Sequence, residues 1–167
     1  MFRVGLGIDS HRLTAKKAGR HLKLGGIVIG RVKVAARSDG DVILHALCNA
    51  LSQALGGSSF SKVADALWCR GISDSGSYVK VFAGQMREAG YKLSNVGVVV
   101  EAGKPKLEMF NYAIRQHLAN LLGLKEDQVG LTITSGEKLT PFGQGKGVQA
   151  TVIVLLEKDE TASASQN

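Results

Sequence analysis

No apolar run in this chain of 167 residues approaches the roughly 18 that span a bilayer. The first residues enter a strand pattern rather than a charged leader followed by a long apolar stretch. A cytoplasmic protein with no membrane partner is the expectation. Cysteine is scarce: Cys48 and Cys69 have no C-x-x-C spacing and no partner set for a structural zinc, which suits a reducing compartment. Aromatic residues make up only 5% of the chain, and no Arg/Lys run is interleaved with Phe or Tyr. A stacking platform for single-stranded nucleic acid is therefore unsupported, and no nucleic-acid partner is expected. The Walker pattern G-x-x-x-x-G-K-[ST] is missing as well.

What is present is an ordinary globular composition, 44% hydrophobic and 21% charged. The length suits one domain, assigned to residues 1–158. The segment DETASASQN, residues 159–167, holds no core-forming residue and reads as a flexible polar tail. A net charge of +7 and a pI near 9.6 call for an anionic partner or simply a solvated basic surface. Sign alone does not choose between them.

Strand patterns occur at 4–8, in a glycine-broken hairpin region at 22–34, and at 95–101, 129–135 and 148–157. Helical spacing occurs at 41–55 (Leu44, Leu47, Leu51, Leu55), at 76–89 stopping at Gly90, and at 106–122 stopping at Gly123. These elements predict an α+β fold, a mixed β-sheet with helices packed on one face. On the first strand Val4, Leu6 and Ile8 read as the core side. Gly5 and Gly7, with Gly130 and Thr132, then form a small-residue face open to another subunit.

Three stretches carry chemistry. In GLGIDSHR, Asp9 and His11 are two apart and emerge from one face of a strand. They are either an Asp fixing a structural His or two metal ligands. In RSDGDVILHAL, residues 37–47, Ser38-Asp39-Gly40 is turn and cap chemistry. Asp41, His45 and Asn49 then recur every four residues along a helix, as a solvated face or as a functional stripe. If His45 meets Asp9 and His11, the set is three ligands with an open fourth position, the count of a catalytic zinc. Ser38 and free N–H groups at that helix start would then offer an anion site. In ITSGEKLTPFGQGKG, residues 133–147, Thr134 and Ser135 can donate to phosphate oxygens and Glu137 can hold a hard cation, unless the stretch is only a solvated hairpin loop. EAGKPK, residues 101–106, gives backbone contacts to a base or turns into the next helix. His21 and His117 are isolated and read as structural or exposed, and Trp68 is assigned no chemistry.

Together these stretches resemble the 2-C-methyl-D-erythritol 2,4-cyclodiphosphate synthase family over nearly the whole chain. The resemblance rests on G-x-D-x-H at the first strand, SDGDVxxHAL at the first long helix, GYKLSNV before the next strand, and T-S-x-E-K-L…G-x-G-x-G. It implies a homotrimer with active sites between subunits and a cytidine diphosphate substrate that cyclises with release of CMP. It further implies Zn²⁺ or another divalent cation on Asp9, His11 and His45, and Mg²⁺ or Mn²⁺ on Glu137 with the substrate diphosphate. Arg37 and Ser135 are the implied catalytic residues. Asp9, Ser10, His11, Arg37, Ser38 and Asp65 would bind substrate on one side. Ala102, Gly103, Lys104, Pro105, Lys106 and Leu107, with Thr134, Ser135, Gly136 and Glu137, would bind it on the other. The chain departs from the family pattern at Arg37 for a usual His, at Asn49 for a usual Asp, and at Gln144 and Lys146 for a common Arg and Glu. In GSSFSKVADALWCRG only Asp65 matches the family's substrate loop. The alternative is a trimeric zinc-binding scaffold, impaired in turnover by that altered segment.

Overall fold

The computed structural model describes residues 1–16 and 19–160, so residues 161–167 of the expected tail lie outside the described residues. In chain order the elements are β1 (Phe2–Arg12), β2 (Arg20–Leu24), β3 (Ile27–Val34), α1 (Val42–Ala54), α2 (Ser61–Cys69), α3 (Ser75–Glu88), β4 (Tyr91–Glu101), α4 (Asn111–Leu122), β5 (Val129–Thr134) and β6 (Gly147–Lys158). Four strands make one mixed sheet in the order β1-β6-β4-β5, with β6 antiparallel to β1 and β4, and β5 parallel to β4. The β2–β3 hairpin stands apart as its own two-stranded sheet. Helix α1 lies across β1 and β6, α3 packs on α1 and β4, and α4 covers β5, all on one sheet face. Val148, Ala150, Val152, Val154 and Leu156 of β6 and Val96, Val98 and Val100 of β4 form the buried side under these helices.

The structure reverses the expected sides of β1. Gly5 and Gly7 face α1, whereas Val4, Leu6 and Ile8 are 59%, 47% and 52% exposed. The reason is close approach: a Cβ on Gly7 would stand 1.9 Å from the Ala46 carbonyl oxygen, and one on Gly5 would stand 1.9 Å from that of Ala50. Ala46, Ala50 and Ala54, four apart, form a small-residue ridge on α1 that settles onto these glycines. The open sheet face is thus apolar, built of Val4, Leu6, Ile8, Val99 and Ile153. Gly130 and Thr132 do lie on it, lining a shallow depression with Gly97.

Helix α1 begins one residue after Asp41, which is fully buried and accepts from the Ile43 and Leu44 N–H groups. Its carboxylate also takes the Gly25 and Gly26 N–H groups at 2.9 and 2.6 Å, fastening the β2–β3 turn to the helix start. Two differences from expectation remain. Helix α4 starts at Asn111, not 106, and residues 108–110 before it make a single 3-10 turn, in which the Phe110 N–H donates to the Leu107 carbonyl, while Ala102 N–H donates to the Thr134 carbonyl and Gly103 N–H to that of Phe142. Helix α2 was not expected. Its nine residues carry no side-chain cap and only the short apolar pattern Val63, Ala64 and Leu67, which packs against the core.

Candidate active site

Strand β1 delivers Asp9 and His11 from the face that α1 covers, and the glycine–alanine contact brings His45 of α1 to them. Asp9 Oδ2 lies 3.0 Å from His45 Nδ1 and 3.7 Å from His11 Nε2, and the three ligand atoms all lie within 4.8 Å of one another. Ligands held tetrahedrally by bonds of about 2.1 Å stand ~3.4 Å apart, so the 3.0 and 3.7 Å separations from Asp9 match the spacing around a divalent ion. His11 Nε2 is buried and has no hydrogen-bond partner, as befits a donor aimed at an ion. Burial, aided by the nearby His45 and opposed by Asp9, lowers the His11 pKa, which keeps its ring neutral for coordination.

His45 is 5% exposed. Its ring meets Phe60 at 4.9 Å, Tyr78 at 6.2 Å and the edge of His11 at 5.4 Å between centroids. Beside the cluster opens a cavity of about 330 Å³ lined by Asp9, His11, Arg37, Ser38, His45, Phe60, Asp65, Trp68 and Tyr78 among others. The Arg37 guanidinium sits 5.9 Å from the Trp68 ring centroid. Helix α2 is therefore a wall of the cavity. Asn49 holds the start of that wall: its side-chain NH₂ donates to the Ile8 carbonyl at 3.3 Å and its oxygen accepts from Phe60 N–H at 3.1 Å. An Asp there would lack the donor, which accounts for the amide in this chain.

One expectation is corrected. The N–H groups at the start of α1 are not free for an anion, because the Asp41 carboxylate accepts those of Ile43 and Leu44. Ser38 stays available at the cavity, its Oγ 3.1 Å from His45 Nε2. Ser10 is exposed on the other face of β1. His21 and His117 are both exposed and away from the cluster. Sequence reasoning missed Phe60, Trp68, Tyr78 and Ser75: the first two lie at or in the unforeseen α2, the last two at the start of the expected α3, and none shows a motif. Only the aromatic character of the first three hinted at a pocket.

Residues 102–107 and 134–137 come together elsewhere. The Ala102 and Gly103 bonds knit the first segment to the loop after β5, and Thr140 Oγ donates to a Glu101 carboxylate oxygen. Register places Ser10, Gln149, Glu101 and Thr134 in line across β1, β6, β4 and β5. Three strand spacings of about 4.8 Å put the two groups at the same end of the sheet but ~14 Å apart, on opposite edges. Each edge of one chain thus carries half of the predicted site.

The YgbB family model matches residues 2–157. The chain is similar to the 2-C-methyl-D-erythritol 2,4-cyclodiphosphate synthase of Chlamydia muridarum, with 38% identity over 92% of this chain and 87% of that one. It is 35% identical to the synthase of Chlamydia caviae over 92% and 88% of the two chains. Among solved structures it resembles the Plasmodium vivax synthase, with a TM-score of 0.81, 28% identity, and 95% and 99% of the chains covered. A CDP-bound form of a synthase gives a TM-score of 0.82 at 33% identity, covering 93% and 100%.

Proposed function

Because the chain belongs to the YgbB family, we propose that it converts 4-diphosphocytidyl-2-C-methyl-D-erythritol 2-phosphate to 2-C-methyl-D-erythritol 2,4-cyclodiphosphate with release of CMP, in non-mevalonate isoprenoid synthesis in the cytoplasm. The observation that carries this is the cluster of Asp9, His11 and His45, three ligands with an open position beside a cavity whose lining also offers Arg37, Ser38 and Asp65. These residues would hold Zn²⁺, and Glu137 would hold Mg²⁺ or Mn²⁺. The ions, when bound, neutralise phosphoryl charge and orient its oxygens.

The protein's own residues do the rest. The substrate's 2-phosphate attacks the β-phosphorus, so no protein nucleophile is required and the work is positioning and charge stabilisation. Arg37 and Ser38 donate to the reacting phosphates from the cavity rim, and Ser135 donates where charge grows. Asp65, on the α2 wall, binds the erythritol hydroxyls. Residues 102–107 and Thr134 take the cytidine, a reading the CDP-bound relative supports.

The two half-sites on opposite sheet edges support assembly as a homotrimer, with the β1 edge of one copy facing the β5 edge of the next and the apolar sheet faces turned inward. An impaired scaffold finds no support, since the altered segment folds as a wall of the cavity and presents Asp65 there. The test is CMP release from the cytidine diphosphate substrate with added Mg²⁺. Turnover by the parent and its loss, with the zinc, in His45→Ala is the expected result. A zinc-loaded parent that releases no CMP overturns the assignment.

A further inference from the structure

We propose that Ser75 and Asp39 are positioning residues that hold His45 as its Nε2–H tautomer, so that Nδ1 offers its lone pair to the metal. The inference rests on the reading of Asp9, His11 and His45 as metal ligands. Ser75, the first residue of α3, is fully buried. Its hydroxyl bonds to Asp39 Oδ1, and the same oxygen lies 2.9 Å from His45 Nε2. An ionised carboxylate only accepts, and a serine has one proton to give. That proton goes to Asp39, so toward His45 the Ser75 oxygen is an acceptor and Nε2 carries the hydrogen.

Asp39 is held in turn. Its Oδ2 takes Lys23 Nζ at 3.3 Å and the Ser75 N–H at 3.3 Å, while its own N–H donates to the Ser73 carbonyl at 3.1 Å. Ser38 Oγ, 3.1 Å from Nε2, accepts the Gly40 N–H at 3.2 Å and adds a second oxygen at the same ring nitrogen. With the hydrogen on Nε2, the bare Nδ1 faces Asp9 Oδ2 at 3.0 Å. Two acceptors at that distance repel until a cation lies between them, so the relay both orients the ring and reserves the gap. A mere helix-start role for the Ser75 hydroxyl is already filled, because Asp74 caps α3 by accepting the Ser77 N–H at 2.8 Å.

The test titrates the parent, Ser75→Ala and Asp39→Ala with Zn²⁺ against a competing chromophoric chelator, and records imidazole nitrogen-15 shifts of the zinc-free proteins. The parent should show His45 as the Nε2–H form. Both variants should show a tautomer mixture and bind zinc about 10- to 100-fold more weakly, with far-UV circular dichroism unchanged. If Ser75→Ala does not fold, Asp39→Ala, which keeps the buried Ser75 side chain and the Asp74 cap of α3, reads the same quantities. Parent-like affinity and tautomer in the folded variants overturn the relay alone. A parent that binds no zinc overturns the metal reading, and the relay with it.

Discussion

His11 is the residue at which pH acts most directly. Its pKa lies below the ordinary value of 6.5, first because burial disfavours the imidazolium. The unfolded chain therefore binds a proton at a pH where the folded one does not. The stability this group contributes is complete above about pH 6.5 and is lost as pH falls through the lowered folded value. Urea titrations of the metal-free protein should show a midpoint that declines below about pH 6.5, with a shallower decline in His11→Gln; equal slopes for the two would remove His11 as the cause. Glu137 tests the other half-site. It stands at φ 51° next to Lys138 at φ 61°, left-handed conformations that L side chains adopt at a cost of about 1 kcal/mol each. Glu137→Gln keeps that backbone demand and removes only the charge. Zinc content should be unchanged while stimulation of turnover by Mg²⁺ disappears, and a parent-like Mg²⁺ dependence would return Glu137 to a role in loop structure.

Helix α1 and strand β1 act as one device. His45 reaches Asp9 only because two glycines let the helix backbone rest on the strand, where a Cβ on Gly7 would meet Ala46 O at 1.9 Å and Ala50 N at 2.5 Å. Neither contact is a side-chain end that can swing away. Gly7→Ala should push the helix outward, destabilise the fold by about 3 kcal/mol and lower zinc stoichiometry together with it. Chemical denaturation and metal analysis of the purified variant measure both, and an unshifted midpoint would mean that the contact is looser than described.

The whole molecule carries the two proposed half-sites on opposite sheet edges and one apolar sheet face. Ile153, 49% exposed at the middle of that face, is the position where a charge should harm assembly without harming the single-chain core. Ile153→Asp should sediment as a smaller species than the parent and lose CMP release, yet still bind zinc, because all three ligands of that cluster belong to one chain. A variant that remains assembled would mean that the contact between copies lies elsewhere. Variant and parent should differ little in their thermal unfolding once both are monomeric, since a half-exposed side chain on an open sheet contributes little to the fold of one copy.

Local spacing determined much of this protein. The i, i+2 pair Asp9 and His11, the cap at Asp41 with His45 one turn on, and the helix stops at Gly90 and Gly123 follow from periods of 2 and 3.6 that the chain carries within a few residues. The alternation on β1 was equally legible, but alternation says which residues share a face and not which face is covered. Val4, Leu6 and Ile8 looked like core because apolar side chains also build faces that meet other chains, while the close approach of α1 demanded glycine on the buried side. Tertiary structure decided that side, folded residues 61–69 into a cavity wall, and brought Ser75 and Asp39 to the back of His45. It also decided that the segments around Ala102 and Glu137 lie three strands from Asp9, because strand order depends on pairings between residues tens to more than a hundred positions apart, which no local period encodes.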